Sequence, residues 1–176
     1  VLDLRPKNAK PFKWPTRIAA CGGEGKIERI PGQAAWRCVD KESPERLRRT
    51  LAYFVSKKAI DIEGVGEAVT TALHDTGLVQ TFDDIFTLTE GDFLDLEGFA
   101  EVSAKKAVEA IKKAGRNVSL ARLLTGLSIA NVGEETARDI AEHFGTIDKI
   151  RHATKEKLFE VEGVGEVVAD SIVEWF

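Results

Sequence analysis

Four five-residue phrases hold the residues best suited to chemistry. They are Ile-Glu-Gly-Val-Gly at 62–66, Leu-Glu-Gly-Phe-Ala at 96–100, Ile-Ala-Asn-Val-Gly at 129–133 and Val-Glu-Gly-Val-Gly at 161–165. Their third residues, Gly64, Gly98, Asn131 and Gly163, lie 34, 33 and 32 residues apart. A period of this length is one supersecondary unit copied along the chain. In each copy an apolar residue anchors the turn, and the third residue is suited to a positive φ, with Asn131 the next best choice after glycine. Val65, Phe99, Val132 and Val164 plug the turn. The second glycine (Gly66, Gly133, Gly165) lets backbone approach backbone, and a helix starts directly after it. A glycine turn that opens a helix aims several backbone N–H groups at one point, which suits a phosphate oxygen.

Charge refines this reading. The net charge is −4, but residues 1–58 contain 14 Lys and Arg against 6 Asp and Glu. Residues 59–119 contain 5 against 12, and residues 120–176 contain 6 against 11. A basic N-terminal third ahead of four phosphate-type turns favours a polyanionic partner. Each repeat helix opens with an acid, Glu67, Glu101, Glu134 or Glu166, which stabilises the helix dipole yet repels a nearby phosphate. Lys57, Lys58, Lys105, Lys106 and Arg138 are the cations best placed to offset them. Ala100 replaces the second glycine of the second copy and should narrow its permitted backbone.

No apolar run reaches the length of a bilayer-spanning helix, and the N-terminus has no signal-peptide pattern, so a cytoplasmic location is expected. The two cysteines, Cys21 and Cys38, do not make a secreted disulfide framework. A four-cysteine zinc ribbon would need partners near positions 18 and 43, where Ile18 and Ser43 stand. Two thiolates cannot close a tetrahedral site. Zinc is therefore not expected, and a reducing cytosol disfavours a disulfide. Packing around Ile18 and Trp36 is the expected support of the ribbon.

The elements that must position these residues follow from periodicity. Val1–Trp14 has two prolines and reads as the tail of a preceding domain with a linker; both chain ends read as cut from something longer. Residues 15–46 are rich in glycine, proline and charge, with short β-type runs at Lys26–Ile30 and Ala34–Val39. From Pro44 the pattern turns helical, with Leu47, Leu51, Phe54 and Val55 on one face. Thr81 with Asp84, Thr89 with Asp92, and Thr154 with Lys157 mark helix starts, the first two as capping boxes. The expected fold is mostly α: residues 47–115 and 116–176 form two tandem pairs of repeats behind a small β-ribbon.

Small residues, Thr70, Ala104, Ala137 and Ala169, stand four positions after the end of each phrase, where two helices must pack closely. This spacing resembles the helix-hairpin-helix motif. The whole chain, in order, resembles the C-terminal part of a bacterial NAD-dependent DNA ligase. Arg5-Pro-Lys-Asn-Ala-Lys-Pro-Phe-Lys-Trp-Pro-Thr is similar to the exit from that family's oligonucleotide-binding (OB) barrel. Trp36-Arg37-Cys38 is similar to half of its rubredoxin-like zinc finger, so Cys21 and Cys38 read as remnants of a four-cysteine site. Tyr53 through Glu67 is similar to the entry into its four-hairpin domain.

The resemblance implies sequence-independent binding of nicked duplex DNA through backbone phosphates, in replication and repair. The implied binding residues are the turns Gly64–Gly66, Gly98–Ala100, Asn131–Gly133 and Gly163–Gly165, with the five cations named above. It implies NAD and magnesium for the parent enzyme, adenylation and OB domains upstream, and no catalytic residue here. The family's adenylated lysine sits in Lys-x-Asp-Gly, a tetrapeptide missing from this sequence. A hairpin module of a repair nuclease or junction-binding protein, and a helical-repeat interaction scaffold, are the competing readings.

Overall fold

Two three-residue strands are marginal in water without further support, and the N-terminal part of this chain relies on such a pair. The computed structural model describes residues 13–21, 24–29, 34–40 and 43–176. The chain divides into two compact units, Val1–Arg46 and Leu47–Phe176. In the first, β1 (Ile27–Arg29) pairs antiparallel with β2 (Trp36–Cys38), placing Ile27 opposite Cys38 and Arg29 opposite Trp36. A 3-10 turn at Ala19–Cys21 is closed by the Cys21 N–H donating to the Ile18 carbonyl at 3.0 Å. This brings Cys21 to the end of the ribbon, where it is disulfide-bonded to Cys38 with a Cα–Cα distance of 5.5 Å.

That arrangement corrects the sequence reading in two respects. The cysteines are cross-linked, which constrains the unfolded chain by about 3 kcal/mol for a loop of this size. Ile18 is 41% exposed, so its side chain is no packing centre. Its backbone holds the ribbon instead, with the Ile18 N–H donating to the Gly25 carbonyl at 2.7 Å. Trp36 does pack, stacked on Trp14 with ring centroids 5.9 Å apart. The linker stretch Arg5–Phe12 and Ile30 lie outside the described residues.

α1 (Pro44–Val55) begins with proline, whose fixed φ suits the first helical position. Ser43 Oγ accepts the Arg46 N–H at 3.3 Å, and Ser43 is fully buried. In the second unit the helices are α2 (Glu67–Asp75), α3 (Glu90–Leu94), α4 (Glu101–Asn117), α5 (Leu120–Gly126), α6 (Glu134–Phe144), α7 (Ile147–Arg151), α8 (Lys155–Leu158) and α9 (Glu166–Trp175). One core joins them through Leu51, Phe54, Ile85, Phe93, Ile111, Leu124, Ile140, Ile150, Leu158 and Ile172. α3 packs on α4, α5 on α6, and α8 on α9. Gly126 permits close approach: a Cβ there would sit 3.0 Å from the Phe54 ring and 3.2 Å from Ala59 Cβ. Among the described residues no helix is long and apolar enough to cross a membrane.

Several helix starts follow their sequence signals. Thr89 and Asp92 form a capping box at α3, with the Thr89 N–H donating to the Asp92 carboxylate at 2.7 Å. Thr154 occupies the N-cap of α8, but its hydroxyl pairs with Glu156 and not with Lys157. The Thr81–Asp84 pair is no capping box: Asp83, not Thr81, is the N-cap of a 3-10 turn at Asp84–Thr87, and Asp84 instead accepts the backbone N–H groups of Gln80 at 2.9 Å and Thr81 at 2.8 Å in the loop before it. These bonds, Gln80 first, hold its carboxyl below the usual aspartate value. Because the folded pKa is depressed, the stabilisation is present above the ordinary aspartate range and is lost as pH falls through the lowered value. Asp84→Ala should therefore lower the melting temperature near pH 7, and the difference from wild type should shrink on acidification below that range. Thermal melts across the acid range check this; a difference independent of pH would contradict it.

Candidate nucleic-acid interface

The four repeated phrases fold to one geometry. The first residue is buried in each case: Ile62, Leu96, Ile129 and Val161 are 4%, 7%, 3% and 5% exposed. Its carbonyl accepts the N–H of the fourth residue, from Val65 at 3.2 Å, Phe99 at 3.2 Å, Val132 at 3.1 Å and Val164 at 3.1 Å. The third residue makes the turn with positive φ: +81° at Gly64, +86° at Gly98, +62° at Asn131 and +77° at Gly163. The fifth residue is the extended N-cap of the following helix. Its carbonyl accepts the N–H of the small residue four places on, Thr70, Ala104, Ala137 or Ala169, all buried. Thr70 satisfies its own buried hydroxyl by donating to the Gly66 carbonyl at 2.9 Å.

The second glycine has a different cause from the one its sequence suggests. Gly66, Gly133 and Gly165 have φ of −94°, −89° and −92°, which any residue adopts. A Cβ built at any of them meets nothing within 4 Å. Neither backbone strain nor close packing inside the chain accounts for glycine there. Ala100 makes the same point, since it holds the equivalent extended conformation at φ −129° and ψ 170° with its side chain in place. It does not narrow the turn. Its distinction is electrostatic: Ser103 Oγ accepts the Ala100 N–H at 2.8 Å and donates to the Ala100 carbonyl at 2.9 Å. The second turn thus uses up internally a donor that no described residue takes at Gly66, Gly133 or Gly165.

The third turn is tied to the fourth repeat. Asn131 Nδ2 donates to Ser171 Oγ at 2.9 Å, and Ser171 Oγ donates to the Val167 carbonyl at 2.8 Å in the first turn of α9. The side chain of Asn131 does work that glycine could not, a role that sequence spacing gave no sign of.

All five proposed cations are exposed. Lys57, Lys58, Lys105, Lys106 and Arg138 form no ion pair among the described residues. By contrast Arg48 pairs with Asp75 at 2.8 Å, Lys157 with Glu160 at 2.8 Å, and Lys155 with Asp170. Asp170 raises the Lys155 pKa, and Lys157 holds Glu160 below its usual value. Lys57 and Lys106 face one open groove of about 1020 Å³, together with Gly64, Phe99, Lys113 and Arg122. Lys58, Lys105 and Arg138 do not line it. The sequence reading missed Lys113 and Arg122; the seven-residue interval from Lys106 to Lys113 on α4 was the available signal for the first. Glu67, Glu101, Glu134 and Glu166 are exposed in the first turn of their helices, as dipole stabilisation requires.

The ribbon does not fit a zinc ion. Cys21 and Cys38 are joined to each other, Ser43 Oγ is engaged by a helix N–H, and Ile18 offers no ligand atom. Among the described residues no three of His, Cys, Asp and Glu converge to hold a metal.

With this geometry in view, two family profiles match the chain. One described as "SAM-like Helix-hairpin-helix tandem" covers residues 56–113, and one described as "Helix-hairpin-helix motif" covers residues 122–176. Most of the second unit thus consists of helix-hairpin-helix domains. It matches over its full length the C-terminal part of bacterial DNA ligases. It is 40% identical over 176 residues to a DNA ligase of Bacillus pumilus (strain SAFR-032) and to one of Bacillus mycoides (strain KBAB4), covering all of this chain and 26% of each relative. It is 40% identical over 174 residues to a DNA ligase of Anoxybacillus flavithermus (strain DSM 21510 / WK1), covering 99% of this chain and 25% of that one. The helix-hairpin-helix chain thus spans about a quarter of the length of these relatives.

The ribbon yields its own expectation. Intact-mass measurement on the purified, unreduced chain should find it lighter by the two hydrogens lost from Cys21 and Cys38, with zinc well below one per chain by elemental analysis. Stoichiometric zinc bound to free thiols would contradict the cross-linked ribbon.

Proposed function

We propose that this chain is the sequence-tolerant duplex-binding segment of a bacterial NAD-dependent DNA ligase, holding backbone phosphates around a nick during replication and repair. One observation carries the reading. Gly66, Gly133 and Gly165 stand where the fold itself permits a side chain, in exposed turns whose N–H groups open helices. Glycine at such a place suits a polymer backbone that must come close from outside. Helix-opening N–H groups suit the anionic oxygens of that backbone. The match to DNA ligases supports the choice of polymer and of parent enzyme.

In this reading the first, third and fourth turns donate backbone N–H groups to phosphates, and Lys57, Lys58, Lys105, Lys106 and Arg138 supply the charge. The second turn contributes Gly98 and Phe99 but little from Ala100, whose donor is taken. Contacts of this kind position a duplex without reading its bases. The upstream adenylation and OB domains, using NAD and magnesium, supply nick sealing. This segment has no Lys-x-Asp-Gly lysine to adenylate and should not seal nicks alone.

Gly133→Val and Gly165→Val are the direct test. Their melting temperatures should fall only modestly, because φ and space both admit a side chain and the loss is the N-cap preference, about 1 kcal/mol. Their affinity for a nicked duplex at low salt should fall about tenfold or more each. Ala100→Gly should change binding little. Wild-type binding should weaken steeply with salt, as phosphate contacts dictate. Unchanged affinity in both valine variants, or binding indifferent to salt, would contradict the proposal.

A further inference from the structure

The short loop that leads into the first hairpin is fastened from a distant helix. It leaves α1 with the Ile60 N–H donating to the Phe54 carbonyl at 3.0 Å and the Ile62 N–H to the Val55 carbonyl at 3.0 Å. Between these, Asp61 takes a left-handed conformation at φ +60°, uncommon for a residue with a side chain. Arg122, in the first turn of α5, reaches this loop across more than sixty residues of sequence. Its Nε donates to the Ala59 carbonyl at 2.6 Å and its Nη2 to the Lys57 carbonyl at 2.7 Å. Its Nη2 also lies 3.9 Å from the Asp61 carboxylate. The backbone of the same residue is set by Ser119, whose hydroxyl accepts the Arg122 N–H at 3.3 Å.

A planar guanidinium with donors in fixed directions can hold two carbonyls at once; a lysine ammonium presents one point charge on a flexible stem. The geometry is therefore a brace between the loop that aims the first hairpin and the helix that begins the third. We infer that Arg122 is a positioning residue for duplex binding: it fixes the first hairpin relative to the second pair so that both engage one duplex. This rests on the duplex-binding reading above. Two binding elements held at the right separation bind far more tightly than the same elements let loose, without any new contact. Arg122 directs Nε and Nη2 to the protein, and in this role it acts by holding the loop in place, not by contacting a phosphate.

Salt dependence separates this role from a direct contact. A cation that neutralises a phosphate contributes about 0.9 to the slope of log affinity against log salt. Arg122→Lys keeps the charge and loses the fork. It should bind a long nicked duplex about tenfold more weakly with the slope unchanged, while Lys106→Gln should make the slope shallower by about 0.9. On a duplex too short to reach both hairpin pairs, Arg122→Lys and wild type should bind equally. Arg122→Gln, whose donors sit on a single nitrogen and cannot reproduce the fork, should behave like the lysine variant, and melts establish that both variants fold. Wild-type affinity in both variants on the long duplex overturns the brace, as does an equal loss on long and short duplexes. A shallower slope in Arg122→Gln, together with unimpaired binding by Arg122→Lys, overturns it in favour of a direct phosphate contact. A wild-type chain that binds no duplex at low salt overturns the underlying reading instead, an outcome distinct from the others.

Discussion

A single hydrogen bond, repeated four times, underlies the rest of the structure. The N–H of the fourth turn residue reaches back to the carbonyl of the first, around a third residue with positive φ. That bond reverses the chain between two helices and leaves the fifth residue extended at a helix start. The apolar first residue and the small residue four places after the turn are buried as a consequence. The turn tip is exposed for the same reason. Packing and presentation are thus one event: whatever buries Ile62 and Ala169 also turns Gly64 and Gly165 outward.

The four copies share this bond but differ in what their side chains and helix-start donors engage. Gly66, Gly133 and Gly165 leave both space and a donor at the helix start. Ala100 fills the space, and Ser103 takes the donor. Asn131 keeps the left-handed turn while spending its amide on Ser171, which ties the third turn to α9. In the proposed reading a repeat can keep its fold while its ligand-facing chemistry varies, because folding calls on the first and third residues and recognition on the fifth.

Much of this was legible in the residues. The period of about 33 and the apolar anchors show directly in the repeated phrase, and the positive φ at Gly64, Gly98, Asn131 and Gly163 follows from the tolerance of glycine and asparagine for the left-handed region. The mostly helical fold and its match to ligase relatives follow from the same pattern. Other features were illegible because their partners are remote in sequence. Arg122 looks like any surface cation until Lys57 and Ala59 lie beside it, and Asn131 looks like a glycine substitute until Ser171 appears. The ribbon was misread for a different reason. Ile18 was given a packing role on its apolarity alone, whereas its backbone carries the structure and the two cysteines close on each other.

The central claim is that the N–H groups of three turns are the anion-binding atoms. An amide NMR titration of the isotopically labelled chain with a nicked duplex reads those atoms one by one. The account predicts shifts concentrated at Gly64, Gly66, Gly133, Gly163, Gly165 and the first turns of α2, α6 and α9, with the Ala100 amide nearly unmoved. Shifts scattered over the lysines with the turn glycines silent, or the largest shift at Ala100, would contradict it.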